Sequence, residues 1–295
     1  MHVALIFDKI EGAGTIKQIT DRQKKRGAIM TFQKETIYQT TKAWIYEIGQ
    51  VIRTEIDQPR DIDTKTNAND LVTEMDKKVE QFFAEKIRST YPDHQILSEE
   101  GFGDNVTSLS GTTWIIDPID GTMNFIHQKR TFAISVAIFH DGIGEIGFVY
   151  DVMADVLYAA KQGEGAYKNN ERLKPLDEKK QLTESIYMLN TLWTTENPIV
   201  DEVKIRELVK TVRGVRTYGS AALEFCYLAE GIVDGYVSFK LHPWDFAAGA
   251  VILHEVGGVL KHANGQTLSF LDQEPLVAGH KDIVEATLEH YLVLK

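Results

Sequence analysis

The sequence predicts a mixed α/β (α+β) protein folded in two lobes. Apolar residues at helical spacing alternate along the chain with short β-rich runs, so helices and strands intermix rather than segregate. No internal repeat or low-complexity tract interrupts that pattern. A charged stretch from Leu176 to Glu184 divides it and reads as a linker. The expected organisation is a leader or extension at 1–29, an N-terminal α+β lobe at 30–180 and a C-terminal α/β lobe at 181–295.

The elements follow in order. Ile37, Trp44, Ile45, Ile48, Val51 and Ile52 recur at helical spacing, giving an amphipathic helix from Glu35 to Ile56. A polar loop from Asp57 to Asn69 contains Lys65. A second helix, Glu74 to Ser89, opens on a capping signature, Thr73 with Asp76 three residues on. Ile96-Leu97-Ser98 reads as a strand ending in Glu99-Glu100, and Trp114-Ile115-Ile116 as a buried strand ending in Asp117. Phe132–Phe139, Gly144–Tyr150 and Val156–Ala160 form a meander, and Gly165–Leu173 a hairpin around Asn169-Asn170. Beyond the linker come strands at Ile186–Asn190, near Val215, at Ile232–Phe239, at Val259-Leu260 and at Leu276-Val277. Helices fill the intervals at Asp201–Thr211, Ser220–Glu230, Phe246–Val256 and Lys281–Leu292.

Composition narrows the function. With 295 residues, 43% hydrophobic and 25% charged, the chain is globular and long enough for a sizeable core. Its 43 acidic residues exceed its 32 basic ones, and a net charge of −11 opposes a phosphate backbone, so nucleic acid is not an expected partner. No apolar stretch reaches the roughly 18 residues of a membrane span. The single cysteine, Cys226, forms no internal disulfide, which fits a reducing cytoplasm. Met1 to Phe7 lacks the basic region and cleavage site of a secretory signal, and no function is assigned to residues 1–29.

Acidic residues stand where strands end or helices begin: Glu99, Asp117 with Asp120, Asp245, and Asp76 behind them. Pro118 is expected to stop the strand after Asp117 and stiffen the turn. Asp120-Gly121-Thr122 then resembles a helix start whose free amides suit a phosphate. Two carboxylates three residues apart repel each other unless a cation lies between them, and a hard divalent ion with oxygen ligands, Mg²⁺ first, fills that need. Taken singly, Asp120, Asp245 and Thr73 with Asp76 read as helix caps, and Glu99-Glu100 as a solvated turn. Asp117 resists the structural reading, because an acid ending a buried strand needs a partner. His127, His242 and His254 lack metal-ligand spacing, Cys226 reads as core, and Gly219-Ser220-Ala221 as a tight helix entry.

In combination these elements resemble the inositol monophosphatase family. Glu99-Glu100, the run Asp117-Pro118-Ile119-Asp120-Gly121-Thr122-Met123-Asn124-Phe125 and the run Trp244-Asp245-Phe246-Ala247-Ala248-Gly249 are similar to its signatures. Lys65, Asp70, Thr73 and Asp76 match its upstream element, and Glu255-Val256-Gly257-Gly258 its usual ending. The resemblance runs from about Met30 to the C-terminus. It implies a layered αβαβα sandwich of the inositol monophosphatase and fructose-1,6-bisphosphatase type, a homodimer and lithium sensitivity.

By position it implies a Mg²⁺-dependent phosphomonoesterase with two or three ions. Glu99, Asp117 and the carbonyl of Ile119 would hold the first, and Asp117, Asp120 and Asp245 the second. A third, weaker ion would lie near Glu99 and Asp76. Thr122, hydrogen-bonded to Asp76, would position the attacking water. The amides of Gly121 and Thr122 would bind phosphate, and Arg216, Gly219, Ser220, Ala221 and Asp245 the alcohol side of the substrate.

One departure bears on the substrate. Many inositol-specific members carry an acid seven residues before the second-signature aspartate; here that position is Ser238, with Lys240 nearby. A lysine tolerates a second anion, so the expected substrates are an inositol phosphate or, alternatively, NADP(H), fructose 1,6-bisphosphate or another sugar phosphate. The alternative of another class is a regulatory binding protein on the same scaffold with residual phosphatase activity, which lost metal ligands would favour.

Overall fold

The computed structural model describes residues 34–58, 62–64, 71–176 and 179–295. Residues 34–55 form α1, as the apolar spacing predicts. β1 (Ile62–Thr64), where the sequence pattern predicts only loop, then pairs antiparallel with β2 (Leu71–Thr73). Strands of three residues are too short for an alternating pattern to register. α2 (Glu74–Thr90) starts where its capping signature predicts. The Thr73 hydroxyl accepts the Met75 and Asp76 amides at 3.2 and 3.4 Å, and Asp76 accepts the Thr73 amide at 2.9 Å.

The next elements build one sheet. β3 (Gln95–Ser98) lies parallel to β4 (Thr112–Asp120). After the short α3 (Thr122–His127) come β5 (Ala133–His140), β6 (Ile143–Asp151), β7 (Val156–Lys161), β8 (Gly165–Lys168) and β9 (Glu171–Arg172). These seven strands sit side by side in chain order, so the expected meander and hairpin are both present. The remainder is β10 (Ile186–Leu189), α4 (Glu202–Thr211), β11 (Gly214–Arg216), α5 (Ala221–Ala229), β12 (Gly235–Leu241), α6 (Pro243–His254), β13 (Val259–His262), β14 (Glu274–Gly279) and α7 (Lys281–His290). Its five strands order as β11-β10-β12-β14-β13.

Two of the boundaries that differ from the sequence reading have a local cause. β12 begins at Gly235, not Ile232, because Asp234 turns its carboxylate onto the Ile186 amide at 2.7 Å before the strand starts. α6 begins at Pro243, not Phe246, since proline's fixed φ suits the first helical turn.

The layering follows from which helix faces are apolar. α6 buries every residue from Phe246 to Leu253, and a helix apolar all round belongs between two sheets. With α5 it packs in one core with Ile115, Val149 and Tyr158 of the seven-stranded sheet and Tyr236, Leu276 and Ala278 of the five-stranded one. Close approach is secured at Gly147 of β6, where an added Cβ would meet the Val251 Cβ at 3.0 Å. Trp44 of α1 stacks on Trp114 of β4 with ring centres 6.0 Å apart, and α2 packs on the same strand. Ile205 and Leu208 of α4 and Ile283 and Val284 of α7 join Tyr187, Val237 and Val277 in a second core. The result is an αβαβα sandwich. Residues 44–295 form a single unit, with α5 and α6 common to both sheets. We propose that the expected boundary near 180 separates the two sheets; residues 1–29 lie outside the described ones. Among the described residues no helix is long and apolar enough to cross a membrane.

Candidate active site

The site begins with a register. β3 and β4 run parallel with Ser98 opposite Ile116, so Glu99, just past the end of β3, follows on beside Asp117 within β4. Side chains along a strand alternate faces, and Asp117 and Asp120, three residues apart, would ordinarily point to opposite sides. They do not, because β4 is bulged. Asp117 pairs with Ser135 and Asp120 with Ala133, which leaves one extra residue on β4. Pro118 therefore sits inside a bulge rather than ending the strand, a correction to the sequence reading, and its missing donor costs the ladder nothing there. The Asp117 Oδ1 accepts the Ile119 amide at 3.0 Å, fixing the carboxylate against the bulge.

Asp120 is not the cap of α3. That position belongs to Gly121, whose φ of 95° favours glycine and whose Cβ, if present, would meet the Gly219 carbonyl at 3.0 Å. The Asp120 carboxylate instead reaches the start of α5. It accepts the Ser220 hydroxyl, the Ala221 amide at 3.2 Å and the Ala222 amide at 2.8 Å. Asp245 is likewise no N-cap. It is the third residue of α6 and accepts the His242 amide at 2.7 Å, while the His242 ring stacks on Trp244 at 4.7 Å.

Asp117, Asp120 and Asp245 each bring one carboxylate oxygen within 4.8 Å of the others. Glu99 stands beside this group, half-buried, and its charge acts on both Asp117 and Asp76. Burial pushes the Asp117 carboxyl well above the usual range, and Glu99, Asp120, Asp245 and Asp76 push it further. Burial raises Asp120 to about 7, against the opposing pull of Ser220 and the α5 amides. Asp76 rises to about 6, through burial first and the charge of Glu99 as well. Glu99, Asp120, Asp245 and Asp76 all bear the same sign as Asp117. Three hard oxygen donors converging among mutually repelling acids fit a divalent ion such as Mg²⁺.

Thr122, the first residue of α3, joins this centre to α2. Its hydroxyl lies 3.3 Å from Asp76 Oδ1 and 3.2 Å from the Ile119 carbonyl, within reach of both. On the other side Gly219, Ser220 and Ala221 line a cavity of about 310 Å³ with Ser238 and Lys240; exposed Arg216 lies outside that lining. Lys65 and Asp70 fall outside the described residues. His127 and His254 are exposed, and Cys226 is fully buried in the core.

Two acids, Glu224 and Glu80, escaped the sequence reading, and Asn124 stood there only as part of its motif run, with no role of its own. Asn124 donates to the Thr131 and Tyr218 carbonyls at 2.8 and 2.7 Å, tying α3 to the loop before α5. Glu224 accepts the Tyr218 amide at 2.6 Å from within α5. Glu80 is buried on α2 among Val79, Phe83 and Ile87. The available signal was an acid set among apolar neighbours, as in the α5 sequence AALEFCYLA.

Comparison with known proteins places this geometry in context. Residues 33–292 match the inositol monophosphatase family. The inositol-1-monophosphatase of Bacillus subtilis (strain 168) is 48% identical over 256 residues, 87% of this chain and 96% of that protein. The structure of 2′AMP-bound SaIMPase-II superposes with a TM-score of 0.80 at 42% identity, covering 87% of this chain and 94% of that one. An IMPase/NADP phosphatase complexed with Mg²⁺ and phosphate gives a TM-score of 0.80 at 27% identity, covering 87% and 95%.

Proposed function

The chain belongs to the inositol monophosphatase family, and on that premise we propose that it is a Mg²⁺-dependent phosphoric monoester hydrolase acting on an inositol monophosphate. The observation that carries the reading is the convergence of Asp117, Asp120 and Asp245 within 4.8 Å beside the Thr122–Asp76 hydrogen bond. Glu99, Asp117 and the Ile119 carbonyl would hold one ion, Asp117, Asp120 and Asp245 a second, and the region of Glu99 and Asp76 a third. When bound, the ions supply the acidity that makes water nucleophilic and the positive charge that offsets the leaving alkoxide.

The chain's own groups do the rest. Thr122, its hydroxyl shared between Asp76 and the Ile119 carbonyl, orients the attacking water and relays its proton toward Asp76. The amides of Gly121 and Thr122 receive the phosphate oxygens at the start of α3. Gly219, Ser220, Ala221, Arg216 and Asp245 face the alcohol. No covalent phosphoenzyme is required, because water attacks in line. Lithium sensitivity, a homodimer and a cytoplasmic location complete the reading as family expectations.

A second substrate reading rests on Ser238 and Lys240. Both line the 310 Å³ cavity, and Lys240 is exposed there as a cation for a second anionic group. The relatives named for 2′AMP and for NADP phosphatase activity accord with a nucleotide 2′-phosphate. A regulatory binding protein is disfavoured, since each acidic ligand position carries its acid. The test is phosphate release from inositol 1-phosphate, NADP⁺ and fructose 1,6-bisphosphate in parallel, with and without Mg²⁺. Mg²⁺-dependent release led by inositol 1-phosphate supports the first reading, and release led by NADP⁺ or the bisphosphate the second. Silence on all three overturns both.

A further inference from the structure

Glu80 lies one helical turn beyond Asp76 on α2 and is completely buried. A carboxylate so placed persists only when hydrogen bonds replace its lost water. Its partners all come from the last residue of β3 and the segment that follows it. Oε1 accepts the Ser98 hydroxyl and the Phe102 amide, each at 2.7 Å, and Oε2 accepts the Glu100 amide at 2.5 Å. These donors are neutral, and two of them belong to the residues on either side of Glu99. The same segment is held from its outer side. Asp104 accepts the Ile96 amide at 2.9 Å, and Arg88 donates to the Phe102 carbonyl at 2.8 Å.

We infer that Glu80 is a positioning residue for the cation site: it holds the Ser98 side chain and the Glu100 main chain on either side of Glu99 and so sets how that carboxylate meets Asp117. The inference rests on the reading of Glu99 as a metal ligand. Glutamate is suited to the task because its two oxygens only accept. A glutamine in the same place must turn an NH₂ toward a hydroxyl or amide donor. If its oxygen keeps Ser98 and Phe102, its NH₂ opposes the Glu100 amide at the bond beside Glu99. Aspartate keeps the charge but falls short of the segment.

The experiment is calorimetric titration of the metal-free full chain with Mn²⁺, run on the wild type, E80Q and E99Q. E80Q is expected to bind Mn²⁺ about 10- to 100-fold more weakly, the range for loss of an outer partner of a ligand. Its Mg²⁺ requirement for phosphate release should rise in parallel, while KM for substrate at saturating Mg²⁺ stays near the wild-type value. Folded E80Q with wild-type Mn²⁺ affinity beside a weakened E99Q overturns the positioning role alone. E99Q with wild-type affinity overturns the ligand reading of Glu99 and the inference with it. If E80Q does not fold, S98A, which removes one donor only, decides the matter. About threefold weaker Mn²⁺ binding is then expected, as from a single weak hydrogen bond, and unchanged binding overturns the inference.

Discussion

The Ser220 hydroxyl serves two partners: it donates to Asp120 and accepts the Leu223 amide at 3.4 Å. The cap of α5 and the orientation of Asp120 are thus one hydrogen-bonded unit, completed by the Ala221 and Ala222 amides. A carboxylate from one sheet closes the N-terminus of a helix leading into the other, where the helix dipole favours its charge.

Ser220→Ala breaks this unit on both sides. The loss of the cap should cost about 1 kcal/mol of stability. Apparent Mg²⁺ affinity should fall about tenfold as Asp120 loses its orienting hydroxyl. Thermal melting and a Mg²⁺ titration of activity check the two effects separately. Unchanged Mg²⁺ dependence would detach Ser220 from the site.

Asp117→Asn should abolish turnover without unfolding the chain. Removing a charge on which a cation site is centred should lower kcat by at least about 10²- to 10³-fold. The metal-free variant should melt no lower than the wild type, because an acid repelled by four other acids has been neutralised. Retained turnover in a folded variant would refute the two-metal assignment.

The raised carboxyls make the metal-free protein sensitive to pH. Asp120 and Asp76 move from 3.8 to about 7 and about 6, so the folded state holds protons that the unfolded state has released. Their stabilising contribution is complete below pH 3.8 and is lost as pH rises to about 7. The melting temperature in a chelator should therefore drop between pH 5 and 7.5, and saturating Mg²⁺ should flatten that drop. A metal-free melting temperature that climbs across this interval would contradict the burial described for these acids.

Thr122→Ala should reduce kcat about 10²- to 10⁴-fold, the range for a lost proton-transfer group, and Thr122→Ser should restore most of it. KM should move little in either variant. A large rise in KM with kcat intact would reassign Thr122 to substrate binding.

Ser238→Glu should raise the preference for inositol 1-phosphate over NADP⁺ about tenfold, by adding a hydroxyl acceptor and repelling a second phosphate. The ratio of kcat/KM values reads this directly. An unchanged ratio would remove Ser238 from specificity.

How much of this was legible from the sequence depended on the range of each interaction. The Thr73–Asp76 capping box and the apolar strand that carries Asp117 are local, and both stand where the sequence places them, although the strand runs on to Asp120. The bulge that brings Asp117 and Asp120 to one side was hidden, because it exists only in the register against Ala133 and Ser135. The partners of Glu80 and Asp120 were hidden for the same reason, as their donors lie far along the chain. The acids were therefore recognisable as candidates, while the hydrogen bonds that aim them were not.

The crossover from β3 to β4 has a practical consequence. Its first part, through Asp104, is bonded to Glu80, Ile96 and Arg88, whereas Asn105, Thr107 and Ser108 are exposed. An inserted peptide or a fluorescent label at Thr107-Ser108 would thus ride on the same connection as Glu99 without entering its anchored half. That makes this point the natural handle for a reporter of cation loading, and a protease cut there would leave the carboxylate centre standing.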